Sequence, residues 1–206
     1  MSTCKYSQVE LSEETIEQRL RSRQGRNNLV YRTVEGLNLR KEARPAAVLI
    51  PMVCDGGNWH VLFIRRSETI PEHKGQVAFP GGAKEPDDNN AEKTALRETY
   101  EEIGIEPKDI RILGKLDDLV TNSGYLLTPV VGVISWPRLL KLESKEVARA
   151  FTIPLSWLAD PSHHEERAYR RDGQDRQAIF FDLYNEELLW GVSARIMVEF
   201  LAALEL

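Results

Sequence analysis

Apolar positions along this chain fall into two rhythms. "AAVLIPMV" (46–53) and "HVLFIRR" (60–66) are near-continuous apolar runs of strand length. "CDGGNW" between them carries turn chemistry, so a buried β-hairpin is predicted. "RILGKL", "LLTPVVGVIS" and "AIFFDLY" read as further strands. Helical spacing marks both ends of the chain. In "LSEETIEQRLRSR", Ser12 is placed to cap a helix, with Leu11 and Ile16 spaced as a hydrophobic staple. In "SARIMVEFLAALEL", Ile196, Met197, Phe200, Leu201 and Leu204 line one helical face. Strands and helices mixed in this way, with a hairpin early, predict an α/β sandwich rather than a doubly wound parallel sheet.

A chain of 206 residues with 42% hydrophobic content can bury one sizeable core, so one domain with extensions is expected. The net charge of −5 argues against nonspecific nucleic-acid binding, although residues 1–45 carry nine Lys/Arg against six Glu. No apolar run approaches membrane-spanning length, and the polar N-terminus lacks a signal-peptide core. Cys4 and Cys54 offer neither a disulfide framework nor a metal-ligand spacing. The expectation is a cytoplasmic, reduced protein with no nucleic-acid or membrane partner.

The chemistry concentrates in "ALRETYEEIGI" (95–105). On a helix, Glu98 and Glu102 stand about 40° apart and Glu101 lies about 60° from Glu98, so three carboxylates share one face. Leu96, Tyr100 and Ile103 point toward the other side, and Gly104 is placed to end the helix in a left-handed conformation. Arg97 precedes Glu101 by four residues and can partner it. On charges alone, such a face reads as solvated surface. Yet three adjacent carboxylates repel, and Mg²⁺ or Mn²⁺, which prefer oxygen ligands, would neutralise them.

The surroundings decide between these readings. "GGAKEPDDNNAEKTALRETYEEIGI" resembles the Nudix box, the loop–helix signature of hydrolases acting on nucleoside diphosphates linked to another group. Gly82, Arg97, Glu98, Glu101, Glu102, Gly104 and Ile105 match its pattern. Two positions depart from it. Asp88 replaces the upstream Glu in a loop one residue longer, and Thr99 replaces an aliphatic residue. The longer loop is similar to that of the coenzyme A pyrophosphatase branch. That branch also carries Arg-Ser, five residues, His-x-Gly-Gln-Val-Ala-Phe-Pro-Gly-Gly, matched here by "RSETIPEHKGQVAFPGG" (66–82). "TNSGYLLTPVVGVI", "EVARAFTIPLSWL" and the "WG" before the last helix also look like it.

The resemblance covers roughly residues 45 to 205. It implies a Nudix-type α/β/α sandwich with a mixed sheet, a single domain over 45–206 preceded by a helical extension over 1–44. It implies pyrophosphate hydrolysis of coenzyme A or an acyl derivative, giving 3′,5′-ADP and 4′-phosphopantetheine or its acyl form. Glu98, Glu101 and Glu102 would hold the Mg²⁺ or Mn²⁺, and Arg97 would position Glu101. The general base stays open between the box glutamates and Glu146. Arg65, Arg66, Ser67, His73, Lys74, Gln76, Gly81 and Gly82 would bind the substrate. Pro71-Glu72 stands where relatives often place a basic residue, which bears on the 3′-phosphate. ADP-ribose, NADH or a dinucleoside polyphosphate are the alternative substrates, and a non-catalytic nucleotide-binding module is the alternative class. Read apart from the resemblance, Arg65 and Arg66 would form surface ion pairs, Glu146 would be structural or exposed, His163 and His164 solvated, and Trp190 core. Oligomeric state, including a homodimer, is left open.

Overall fold

The computed structural model describes residues 3–6, 9–23, 43–69, 73–171 and 173–206. In chain order the elements are β1 (Thr3–Tyr6), β2 (Val9–Ser12), α1 (Glu13–Arg23), β3 (Arg44–Asp55), β4 (Asn58–Arg66), β5 (Val77–Ala78), β6 (Gly81–Ala83) and α2 (Ala91–Ile103). There follow β7 (Ile110–Lys115), β8 (Leu119–Val120), β9 (Tyr125–Ile134), β10 (Val147–Pro154), α3 (Leu155–Leu158), β11 (His164–Arg171), β12 (Gln174–Tyr184), β13 (Glu187–Trp190) and α4 (Gly191–Ala203).

The predicted hairpin is β3–β4, turned by Gly56 and Gly57 at φ 54° and 79°, the left-handed pair that a two-residue hairpin loop requires. Its strands are buried on both faces. Ile50, Met52, Val61 and Phe63 join one apolar cluster, while Leu49, Val53, Leu62 and Ile64 join the other. Such strands read as continuous apolar runs because neither face meets water. The main sheet runs β2-β1-β4-β3-β9-β7, with β10 and β5 on β4, β6 on β3 and β8 on β9. The β3–β9 and β1–β4 pairs are parallel and the others antiparallel, so the sheet is mixed. One cluster takes in Ala95 and Ile103 of α2; the other takes in Ile16 and Leu20 of α1 with Ile196, Met197, Phe200 and Leu201 of α4. This is the α/β/α sandwich expected. A separate three-stranded sheet, β11-β12-β13, precedes α4.

Ser12 accepts the Thr15 N–H at 3.1 Å, and Leu11 and Ile16 are both buried, so the cap and staple form as expected. The helix α1 covers the core rather than projecting from it. Leu20 lies against Gly114 of β7, and Arg19 reaches the Leu204 carbonyl at the far end of α4. The rest of the expected extension, 24–42, and the Pro71-Glu72 departure lie outside the described residues.

The reduced-thiol expectation is corrected: Cys4 and Cys54 form a disulfide with Cα atoms 5.9 Å apart. The two are 50 residues apart in sequence and meet only because β1 folds back beside β4. The cysteines therefore give no support to a reducing compartment. Among the described residues, no helix is long and apolar enough to cross a membrane.

Candidate active site

The site is built on α2. Asn90 caps it by accepting the Lys93 N–H at 2.8 Å, and Gly104 ends it at φ 72°, donating its N–H to the Tyr100 carbonyl. The buried stripe is Ala95, Thr99, Glu102 and Ile103, while Tyr100 is exposed. Tyr100 is thus not on the core side as the spacing suggested. The stripe is displaced by one residue because Thr99 satisfies its own hydroxyl on the Ala95 carbonyl at 2.6 Å and can be buried. Glu102 is only 2% exposed, which excludes a merely solvated acidic face.

Two glycines let the sheet come this close. At Gly81, φ 155°, a Cβ would stand 2.4 Å from the Ala47 carbonyl oxygen; at Gly82 it would stand 2.5 Å from the Glu98 carboxylate. Gly81 also donates its N–H to Glu102 at 3.0 Å. The two positions should respond differently. Gly81→Ala meets backbone and is expected to cost about 2 kcal/mol of stability. Gly82→Ala meets the end of a flexible side chain and is expected to melt near wild type while losing about 10- to 100-fold in activity. Paired melting curves and turnover assays would show whether the two effects separate.

Arg97 is the electrostatic hub. Its guanidinium reaches Asp88, Glu98 and Glu101, each at 3.0 Å, and donates to the Ala83 carbonyl at 3.0 Å. Asp88 is buried and also accepts the Glu85 N–H at 3.1 Å. Burial alone pushes its carboxyl up, but the hydrogen bonds from Arg97 and Glu85 outweigh this and hold it below the usual range. The role of the upstream acid is thereby clear. The longer loop brings this short side chain onto Arg97.

Glu102, buried beneath Gly81, is pushed up to about 8, first by burial and then by the charges of Glu98 and Glu146, against the Gly81 N–H and Arg66. Glu98 is also raised, by burial first, with Arg97 pulling it down and Glu101 and Glu146 pushing it up. Glu146 is exposed just before β10, as one reading expected, yet its charge acts on both Glu98 and Glu102. Glu101 is more exposed and tied to Arg97. Among the described residues no group of three His, Cys, Asp or Glu side chains is gathered closely enough to hold a metal ion as it stands. What the chain offers is an all-oxygen donor set in which Glu98 and Glu102 are disfavoured as bare charges, by burial first and by the repulsion of neighbouring acids besides. A hard divalent cation relieves such repulsion, so the residues fit Mg²⁺ or Mn²⁺.

A cavity of about 480 Å³ opens beside these acids. Of the substrate-binding candidates, Arg66, His73, Gln76, Gly81 and Gly82 line it. Arg66 stands 3.8 Å from Glu102, and its Nε is buried without a hydrogen-bond partner. His73 Nδ1 and Gln76 Oε1 are 2.9 Å apart. The structure sets Arg65, Ser67 and Lys74 outside the lining. Arg65 points from the other face of β4 to buried Glu187, shared with Arg149, and the Ser67 hydroxyl is used on Thr69. Trp190, expected in the core, is half-buried and lines the cavity, as do Tyr169 and Arg176. His163 stacks on Trp157 and His164 packs on Phe181, so neither is a solvated loop histidine. Sequence reasoning missed Tyr169 and Arg176; only the cross-strand pairing places them here.

The match of residues 43–172 to the NUDIX domain family model covers the whole box, the upstream signature and Glu146. The chain is 41% identical over 155 residues to an uncharacterized Nudix hydrolase NudL of Photorhabdus laumondii subsp. laumondii, covering 75% of this chain and 81% of that one. It is 38% identical over 159 residues to an uncharacterized Nudix hydrolase NudL of Pectobacterium atrosepticum, covering 76% and 80%. A crystal structure of a MutT/nudix family protein from Enterococcus faecalis shares the fold, with TM-score 0.50, 16% identity and coverage of 95% of this chain and 74% of that one. A buried box glutamate, an arginine hub and close-packed glycines are thus found in a chain that belongs to the Nudix family, the pyrophosphohydrolases of nucleoside diphosphate derivatives that work with divalent metal ions.

Proposed function

We propose that this Nudix hydrolase cleaves the pyrophosphate bond of coenzyme A or acyl-coenzyme A, releasing 3′,5′-ADP and 4′-phosphopantetheine or its acyl form. The observation that carries the reading is the placement of Arg66, His73 and Gln76. These members of the upstream signature line the same cavity as Gly81 and Gly82 beside the box acids.

The diphosphate is anionic and repels a nucleophile, so the chain must offset charge and supply a base. Glu98 and Glu102, with Glu101 beside them, would hold Mg²⁺ or Mn²⁺. When bound, the ion offsets phosphate charge and makes a water more acidic. Arg66, with its unpartnered buried Nε, faces the cavity as the cation for a diphosphate oxygen. Arg97 keeps Glu98 and Glu101 in place. The proton of the attacking water passes to a carboxylate. Glu146 is the acid there that neither Arg97 nor the Gly81 N–H restrains, and we assign it that role.

The test is a product assay with purified protein, coenzyme A and Mg²⁺ or Mn²⁺, with ADP-ribose in parallel and a chelator control. The expected outcome is 3′,5′-ADP and 4′-phosphopantetheine, both lost with chelator. Intact coenzyme A alongside cleaved ADP-ribose would reject the substrate and keep the reaction.

A further inference from the structure

The three-stranded sheet turns an aromatic corner toward the cavity. Tyr169 of β11 and Trp190 at the end of β13 both line it, together with Arg176 of β12. Tyr169 and Arg176 stand opposite each other in the β11–β12 register, and Phe180 stands opposite Trp190 in the β12–β13 register. Phe180 stacks on the indole, ring centres 5.2 Å apart and planes 13° apart, and is not itself a lining residue. It braces one face of Trp190 from behind. Tyr169 stands almost perpendicular to the indole, 5.7 Å away at 83°.

A flat ring laid on the indole would therefore have Tyr169 at its edge, combining the stacked and edge-on arrangements that aromatic groups favour. The corner is preformed, because the two rings that define it are packed on each other and on Phe180. The same cavity contains Arg66, Gly81 and Gly82, which sit at the box acids. One substrate can thus span from the acids to the corner. Every nucleoside diphosphate derivative carries at least one flat base, and in coenzyme A the nucleoside is the half that carries it. A pantetheine chain is flexible and saturated and gains nothing from a stacking surface. Arg176, Phe180 and Trp190 all lie beyond residue 172, where the family match ends, so all of this surface but Tyr169 is supplied by the chain outside the family-defining stretch.

We propose that Trp190 and Tyr169 form the base-binding subsite, stacking the purine of the substrate. Arg176 beside them takes the phosphate carried on its ribose. The second half of this assignment rests on the coenzyme A reading above; the base-binding half does not.

Calorimetric titration of the full chain in Mg²⁺ with AMP, 3′,5′-ADP and 4′-phosphopantetheine tests it. None of the three contains an anhydride, so none is consumed. Trp190→Leu is expected to weaken AMP and 3′,5′-ADP about tenfold and to leave 4′-phosphopantetheine within twofold, with Trp190→Phe restoring most of the loss. Because Trp190 braces Phe180, Tyr169→Ala serves as a second probe, with a smaller loss in the same two ligands. Arg176→Ala is expected to weaken 3′,5′-ADP about tenfold and leave AMP unchanged. Absence of AMP and 3′,5′-ADP binding in the wild type would overturn the subsite. So would unchanged AMP affinity in folded Trp190→Leu or Tyr169→Ala, or a loss confined to 4′-phosphopantetheine. Equal losses for AMP and 3′,5′-ADP in Arg176→Ala would overturn the ribose-phosphate assignment. If coenzyme A is not cleaved while Trp190→Leu loses AMP, the subsite stands and the substrate reading fails. If coenzyme A is cleaved while that variant binds AMP as wild type, the reverse holds.

Discussion

Glu102→Gln is expected to lower kcat/KM for pyrophosphate cleavage about a thousandfold while leaving the protein folded. The glutamine oxygen can still accept the Gly81 N–H, and the side chain is of nearly the same size in a site that is 2% exposed. Burial and the neighbouring acids already push the Glu102 carboxyl up to about 8, so the metal-free fold favours a neutral side chain at this position. The cost therefore falls on function. A carboxylate that holds a divalent ion against a phosphate contributes several kcal/mol in the transition state, and about 4 kcal/mol corresponds to three decades of rate. Glu101→Gln provides the contrast. That side chain is half exposed and bound to Arg97, and its loss is expected to cost about tenfold. Steady-state rates in Mg²⁺, read beside melting curves, check both. A folded Glu102→Gln enzyme within tenfold of wild type would remove Glu102 from the reaction.

Local patterning made much of this site legible. The box spacing placed three acids on one helix, and Gly104 and Ser12 behave as their chemistry predicts because caps are satisfied within a few residues. The apolar runs of β3 and β4 revealed a core sheet because both of their faces are covered. What escaped notice depends on contacts remote in sequence. The Cys4–Cys54 bond spans 50 residues, and no short spacing announces it. Tyr169 and Arg176 lie in a polar, charged stretch, "EERAYRRDGQDR", whose strands are defined by pairing with each other rather than by an apolar face. Trp190 reads as core from its type, yet it is half-buried, stacked on Phe180 and lining the cavity. Arg65 and Arg66 are adjacent and alike in sequence. Strand alternation sends one to Glu187 and the other into the cavity. Asp88, which counts as a mismatch against the box, is rescued by geometry, since it is buried and bound by Arg97 at 3.0 Å.

That rescue makes Arg97 the residue whose loss should cost most in stability. Arg97→Met keeps the length of the stem but removes the guanidinium from Asp88, Glu98 and Glu101 at once. The Asp88 side chain is about 1% exposed and would keep a buried charge without its cation. Stripping one partner from a buried pair costs about 3 kcal/mol, and for a chain of this length each kcal/mol moves the melting point about 2–4 °C. A drop of about 6–12 °C at pH 7 is therefore expected. Its pH dependence has a definite sign. Asp88 is held below its ordinary value near 3.8, so its share of the stability is present above that value and is lost as pH falls through the depressed one. The gap between wild type and Arg97→Met should narrow below about pH 4, as the wild type loses what the variant never had. Asp88→Asn removes the charge that Arg97 answers, so Asp88→Asn/Arg97→Met should be less destabilised than the two single losses combined. Melting points for the four proteins at pH 7 and pH 3.5 decide the matter. Strict additivity, or a gap independent of pH, would mean that the arginine stabilises the fold through its glutamate partners and that Asp88 is not its anchor.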